Sequence, residues 1–265
     1  MIDTHSHILP GIDDGAKTFE DSILMLKQAE KVGVTGIILT PHYLRGTKYA
    51  TGNLKKWELY QELKQRATAA GIKVKLYLGN EIYIDEKLPK MLAGYMGEDS
   101  EKENNLIYEV STLNSTKYVL VELPVRAEDI SAKTTLTAIV KMGFVPVIAH
   151  PERYYYVQEN TAMLDDYIEL GCLLSGDILA LVGKYGKREE KTLRKLLLEN
   201  KIFCLATDAH KAADYELVDS AKKKLKKLIK NEEAVTRLLV SNPERFLAES
   251  EIMWYNNRVS YEKLS

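Results

Sequence analysis

The chain has 265 residues, 45% of them apolar and 28% charged, with 37 basic side chains against 38 acidic ones. That length and apolar share suit one large domain with a sizeable core, and a net charge of −1 gives no electrostatic reason to expect a nucleic-acid partner. No apolar stretch approaches membrane-spanning length, and the opening residues lack a basic segment followed by an apolar one, so the expectation is a cytoplasmic protein without direct membrane insertion.

Short aliphatic runs alternate with helix-period stretches along the whole chain, a pattern that predicts βα units and a mainly parallel sheet. Expected strands cover residues 1–6, 36–40, 74–80, 118–123, 144–149, 172–175 and 202–207. Helical periodicity covers 18–31, 54–70, 130–142, 162–170 and 187–200, and Gly33, Gly71, Gly143 and Gly171 are placed to end helices. Seven units predict a distorted seven-stranded TIM-like (βα)7 barrel, with an open doubly wound sheet as the alternative. Either topology collects functional groups at the C-terminal ends of its strands. Residues 97–105 read as a polar surface loop, and 221–230 as a basic amphipathic helix with a solvated face. The domain is expected to fill residues 1–248, leaving 249–265 as a tail that caps the fold or touches another subunit; oligomerisation stays open.

All five histidines fall where such a site would lie. His5 and His7 form an H-x-H pair, while His42, His150 and His210 each close an apolar run. Glu81 and Glu122 end two further runs, and Asp208 stands two residues before His210. Alternate residues of a strand share a face, so His5 and His7 can reach one ion. Nitrogen and oxygen donors at successive strand ends are what a multinuclear metal site requires. Cys172 and Cys204 read as small core residues in a reducing compartment. The cysteine-dependent tyrosine phosphatases carry Cys, five residues, then Arg; here Ile178 and His210 occupy that last position, which argues against a thiolate nucleophile.

The segments MIDTHSHILPGIDDGA, TPHY, GNEIY, VEL, AHPERY and ATDAH together resemble the PHP (polymerase and histidinol phosphatase) superfamily. They resemble more closely its bacterial manganese-dependent protein tyrosine phosphatases encoded with capsule and exopolysaccharide genes. The likeness runs from Met1 to about Phe246. It implies three divalent ions, manganese by family habit, with Fe, Co or Zn compatible with the donors. His5, His7 and Asp208 would hold the first ion. Glu81 would bridge to a second, also held by Glu122 and His150; His42, His210 and Asp14 (or its neighbour Asp13) would hold the third.

The implied reaction is attack of metal-bound hydroxide on phosphotyrosine, with the ions neutralising phosphoryl charge. A phenol of pKa about 10 leaves with little protonation, which suits a site lacking a strong general acid. The implied partner is a tyrosine-phosphorylated protein, a bacterial tyrosine autokinase. Arg153, three residues beyond His150, offers a planar fork for the phosphate, with a surface arginine beside Glu152 as the bland alternative. Tyr154, Tyr155 and Tyr156 either line a cleft for the substrate tyrosine or pack on the rim. A second arginine expected after the final D-x-H is absent, and Lys211 is the nearby cation. A small-molecule phosphatase of histidinol-phosphatase type is the catalytic alternative. An amidohydrolase-type barrel is disfavoured because Glu81 and Glu122 stand where a bridging lysine would be expected. A partner-binding module without activity is disfavoured by the intact donor set.

Overall fold

The computed structural model describes residues 1–93, 109–128 and 130–248. The expected loop at 97–105 and tail at 249–265 lie outside the described residues. Strand β1 (Ile2–Asp3) leads to helix α1 (Phe19–Lys31), strands β2 (Gly36–Leu39) and β3 (His42–Tyr43), and helix α2 (Asn53–Ala69). Then follow β4 (Lys75–Leu78), β5 (Glu81–Tyr83), α3 (Leu88–Ala93), β6 (Tyr118–Glu122), α4 (Ile130–Lys141) and β7 (Val145–Ala149). Helices α5 (Tyr155–Glu159) and α6 (Asp165–Glu169) precede β8 (Leu173–Asp177), α7 (Lys187–Leu198), β9 (Cys204–Ala206), α8 (Ala212–Glu216) and α9 (Val218–Ile229).

Every pairing is parallel, as the alternating pattern predicts, but the strands do not form the single seven-stranded set expected. Among the described residues there are nine, in two sheets ordered β1-β2-β4 and β3-β5-β6-β7-β8-β9. Two of the expected passes are broken. Between β2 and β3 lies Pro41, which has no N–H to donate to a ladder. Between β4 and β5 lies Asn80, whose side-chain amide donates to the Pro41 carbonyl at 2.9 Å and so bridges the two breaks. The first and last passes meet through a parallel Ser6–Ala209 bridge, with His7 N–H donating to the Ala209 carbonyl and Asp208 N–H to the His5 carbonyl, both at 2.9 Å.

Both faces of the strands are buried, which is why they read as continuous apolar runs. Val119, Val121 and Ile148 join the large core under the helices. Their alternates Tyr118, Leu120, Val147 and Ala149 meet Ile38, Cys204 and Phe246 in a second, inner cluster. The Phe246 ring lies 4.8 Å from that of Tyr118 and 5.7 Å from that of Phe203. Helix α1 shows the logic of the outer layer. Thr18 and Asp21 form a reciprocal capping box, and Ser22, Met25, Leu26 and Ala29 make the buried stripe. Lysines of α9 line its solvated side while Ala221 and Leu225 are buried, as the charge pattern predicts. The expected helix at 162–170 divides into a 3-10 turn (Thr161–Leu164) and α6.

Candidate metal centre

Asp3 ties the first strand to the segment after β9 under the site. Buried and at the end of β1, it accepts from Thr207 N–H (2.9 Å), Thr207 hydroxyl (2.6 Å) and Tyr215 hydroxyl (2.9 Å). His5 and His7 follow at once and point inward with Asp208 from the last pass. Two of the residues brought there, His150 (φ 32°) and Asp208 (φ 45°), have left-handed backbone, a conformation that costs a non-glycine residue energy and recurs at functional sites. Gly15 passes so close to His7 that a Cβ there would collide with the His7 carbonyl.

The floor of the site is a tight set of donors. His5 Nε2 lies 3.2 Å from His7 Nε2, 3.2 Å from Glu81 Oε2 and 3.2 Å from Asp208 Oδ1. His7 Nε2 lies 2.9 Å from Asp208 Oδ1 and 3.4 Å from Glu81 Oε2. Two donors held tetrahedrally by one ion at about 2.1 Å would stand about 3.4 Å apart. These spacings therefore fit a shared cation. Glu81 Oε2 and Asp208 Oδ1 are also buried without a hydrogen-bond partner among the described residues, although imidazole nitrogens surround them. Orphaned carboxylate oxygens cost stability unless a cation answers them. The donors fit a divalent ion.

Three donor groups can hold metal: His5, His7, Glu81 and Asp208; His42, Glu81 and Glu122; and His7, Asp14, His42 and His210. His42 serves two of them because its ring nitrogens face opposite ways, Nδ1 toward Glu81 Oε2 at 2.8 Å and Nε2 toward Asp14 Oδ1 at 3.4 Å. This differs from the grouping the resemblance implies, in which His150 stands with Glu81 and Glu122. His150 Nε2 instead hydrogen-bonds Glu81 Oε1 at 2.8 Å and lies 3.9 Å from Glu122 Oε1. His210 Nε2 completes the open side, 3.3 Å from Asp14 Oδ1. Of the two neighbouring aspartates, Asp14 joins the donors. Asp13 stands behind them, accepting from His7 Nδ1 at 2.8 Å, Gly15 N–H at 2.9 Å and His42 N–H at 3.1 Å.

The buried carboxylates and imidazoles shift one another's protonation. Burial opposes protonation of His5, but Glu81 and Asp208 raise its pKa; His7 is raised further by Asp13. His42 goes to about 10 against its own burial, chiefly through Glu81. His150 falls to about 4 through burial and the Arg153 charge, and burial beside Glu81 lifts Glu122 to about 7. Hydrogen bonds from His210 and His42 hold Asp14 well below the usual carboxylate range.

Arg153 is not the surface residue of the bland alternative. Nη1 pairs with Asp208 Oδ2 at 2.8 Å, Nη2 pairs with Asp177, and the guanidinium lies 3.7 Å over the Tyr185 ring. Its fork is thus engaged by carboxylates 24 and 55 residues away, a use that no local motif announces. Buried Glu152 accepts from Asp177 N–H at 2.8 Å, and burial next to Asp177 raises its pKa to about 8. Half-buried Lys184 pairs with Asp214 at 3.2 Å and lies 5.0 Å from the Tyr185 ring centre, a cation the motifs do not mark. Lys211 is exposed at the start of α8. Tyr154 is packing rather than cleft: fully buried, it donates to the Ala149 carbonyl and stacks on Tyr156. Cys172 and Cys204 are buried free thiols pushed up by burial to about 12 and about 11, unsuited to nucleophilic attack.

The chain has known counterparts. It is 34% identical over 210 residues to the tyrosine-protein phosphatase YwqE of Bacillus subtilis, covering 79% of this chain and 77% of that one. Its structure is similar, at a TM-score of 0.79 and 30% identity, to one from work on YwqE and on CpsB of Streptococcus pneumoniae, unique metal-dependent tyrosine phosphatases; 97% of this chain and 95% of that one align. An amidohydrolase from Mycoplasma synoviae shares the fold alone, at a TM-score of 0.57 and 16% identity over 100% of this chain and 94% of that one. The model of the family described as "Capsular polysaccharide synthesis, CpsB/CapC" matches residues 1–248, and the chain belongs to that family.

Proposed function

We propose that the protein is a metal-dependent phosphotyrosine-protein phosphatase acting on a tyrosine-phosphorylated protein, a tyrosine autokinase of capsule or exopolysaccharide synthesis. The observation that carries this reading is the convergence of His5, His7, Asp14, His42, Glu81, Glu122, Asp208 and His210 as three overlapping donor groups, with His150 bonded to Glu81. These nine residues would hold three divalent ions, manganese being the family's metal. Bound there, such ions activate water and neutralise charge on the phosphoryl oxygens. Asp208 works on two sides: Oδ1 faces His5 and His7, while Arg153 holds Oδ2. Arg153 thereby keeps the carboxylate aimed and stands beside the place where phosphoryl charge develops. Lys211, exposed beyond His210, is a point charge for the approaching phosphopeptide rather than a bidentate grip.

The reading extends to the fold and its setting. Residues 1–248 form one domain, and the two sheets close as one distorted barrel, supported by the Ser6–Ala209 bridge and the inner cluster shared by strands of both sheets. No helix among the described residues is long and apolar enough to cross a membrane, and the two free thiols suit a reducing compartment such as the cytoplasm.

The test is hydrolysis of a phosphotyrosyl peptide and of histidinol phosphate by purified protein, before and after chelation and after adding back Mn²⁺, with metal counted per chain. The expected result is chelator-sensitive turnover restored by Mn²⁺ and faster on the peptide. No turnover of the peptide by the metal-loaded protein would overturn the proposal.

A further inference from the structure

The open side of the donor cluster is bordered by a residue that none of the site motifs includes. Floor side chains are 0–4% exposed, whereas His42, His210 and Asp14 are 23%, 29% and 52% exposed, so the cluster opens to solvent at these three residues. There the half-buried Tyr49 ring stands with its centre 5.9 Å from that of His42, tilted by 38°. Its segment is anchored. Thr47 hydroxyl donates to the Leu44 carbonyl at 2.7 Å and accepts from Tyr49 N–H at 3.1 Å. Arg45 clamps the same segment to Asp85 through Nε at 3.0 Å and Nη2 at 2.8 Å. Lys48 Nζ lies 5.1 Å from the Tyr49 ring centre. The ring is therefore held beside the donors before any substrate arrives.

We infer that Tyr49 is a specificity-determining residue: its ring receives the aryl group of a phosphate monoester whose phosphoryl oxygens lie at the donor cluster, favouring aryl over alkyl esters. The inference rests on the phosphatase reading above. An aromatic ester carries its ring one oxygen away from phosphorus, so a ring wall next to the donors meets it, whereas a flexible alkyl chain gains little there. Aromatic pairs add about 0.5–1.5 kcal/mol beyond area burial, which converts to a discrimination of about 2- to 13-fold.

The experiment is calorimetric binding of phenylphosphonate and methylphosphonate to the manganese-loaded protein and to its Tyr49→Ala and Tyr49→Phe variants. Neither ligand can be hydrolysed as an ester, so binding is read apart from turnover. Wild type should prefer phenylphosphonate. Tyr49→Ala should lose about 2- to 13-fold on phenylphosphonate alone, with metal content unchanged, and Tyr49→Phe should behave as wild type. Equal losses on both ligands, an unchanged phenylphosphonate affinity in Tyr49→Ala, or failure of wild type to bind either ligand would overturn the inference. Phosphotyrosyl-peptide hydrolysis, measured in parallel, reports separately on the phosphatase reading.

Discussion

The floor and the rim of the donor cluster are built differently. His5, His7, Glu81 and Asp208 come from strand ends, are sealed from solvent, and have supports behind them: Asp13 behind His7, His150 on Glu81, Arg153 on Asp208. Asp14 and His210 come from bends and His42 from the first position of β3, and all three stand partly open, with Asp14 half exposed. Buried donors with fixed partners hold geometry against exchange with water, while open donors leave room for a phosphate. The lesson is a division of labour within one cluster, in which affinity comes from the sealed side and access from the other.

The sharpest way to break that division is to exchange one donor on each side. Glu81→Gln touches two donor groups and should lower kcat/KM on a phosphotyrosyl peptide by on the order of a thousandfold, the several kcal/mol a catalytic cation supplies. Asp14→Asn should cost much less, and equal losses in the two variants would erase the distinction. Next is Asp13→Ala, which leaves every donor in place but removes the acceptor that orients His7. Metal affinity should weaken by roughly 10–100-fold, read by competition with a coloured chelator; an unchanged affinity would mean the support is idle.

An effect on stability is expected behind the floor, at Asn80. Its carbonyl oxygen accepts from Ser111 N–H at 2.8 Å and from the fully buried Lys56, and its amide holds Pro41. Asn80→Ala should destabilise the metal-free protein by roughly 3 kcal/mol, since buried groups left unpaired cost about 1–3 kcal/mol each. Urea unfolding measures it, and a midpoint equal to wild type would show that the two strand breaks need no bridge.

The rim should show itself in the pH dependence of stability. In the metal-free protein His42 has a pKa raised to about 10, mainly because Glu81 outweighs its burial. Its contribution to stability is complete below the unfolded-state value of about 6.5 and is lost as pH rises through about 10. Chelated protein should therefore show a falling urea midpoint across that window, and His42→Gln should flatten the slope. A midpoint that rises with pH there would contradict the charge balance described for the open side.

Much of this was legible in the residues because strand ends are legible. An imidazole closing an aliphatic run has few places to go in a parallel α/β fold, so His5, His7, His42, Glu81, Glu122, Asp208 and His210, which meet in the three donor groups, could be named without coordinates. The choice between Asp13 and Asp14 could not, since adjacent residues of a turn differ only in which way the backbone rolls; here Asp13 turns to His7 Nδ1 and Asp14 to the donors. The engagement of Arg153 was hidden for another reason: its partners Asp177 and Asp208 are distant in sequence and meet it only in three dimensions. Pro41 did signal a break in the second strand, and the expectation of unbroken passes passed over it. Lys56 also left a trace. It falls on the buried stripe of α2 with Asn53, Tyr60, Leu63 and Ala67, where a lysine stem fits and its ammonium needs dedicated acceptors.

His7, His42 and Glu81 each belong to two of the three donor groups. Sharing of this kind ties the occupancies together, because an ion that fixes a common ligand prepaid part of the ordering for its neighbour and also repels it. Whatever factor the first cation imposes on the second, the second imposes on the first. Loading curves should accordingly depart from independent binding.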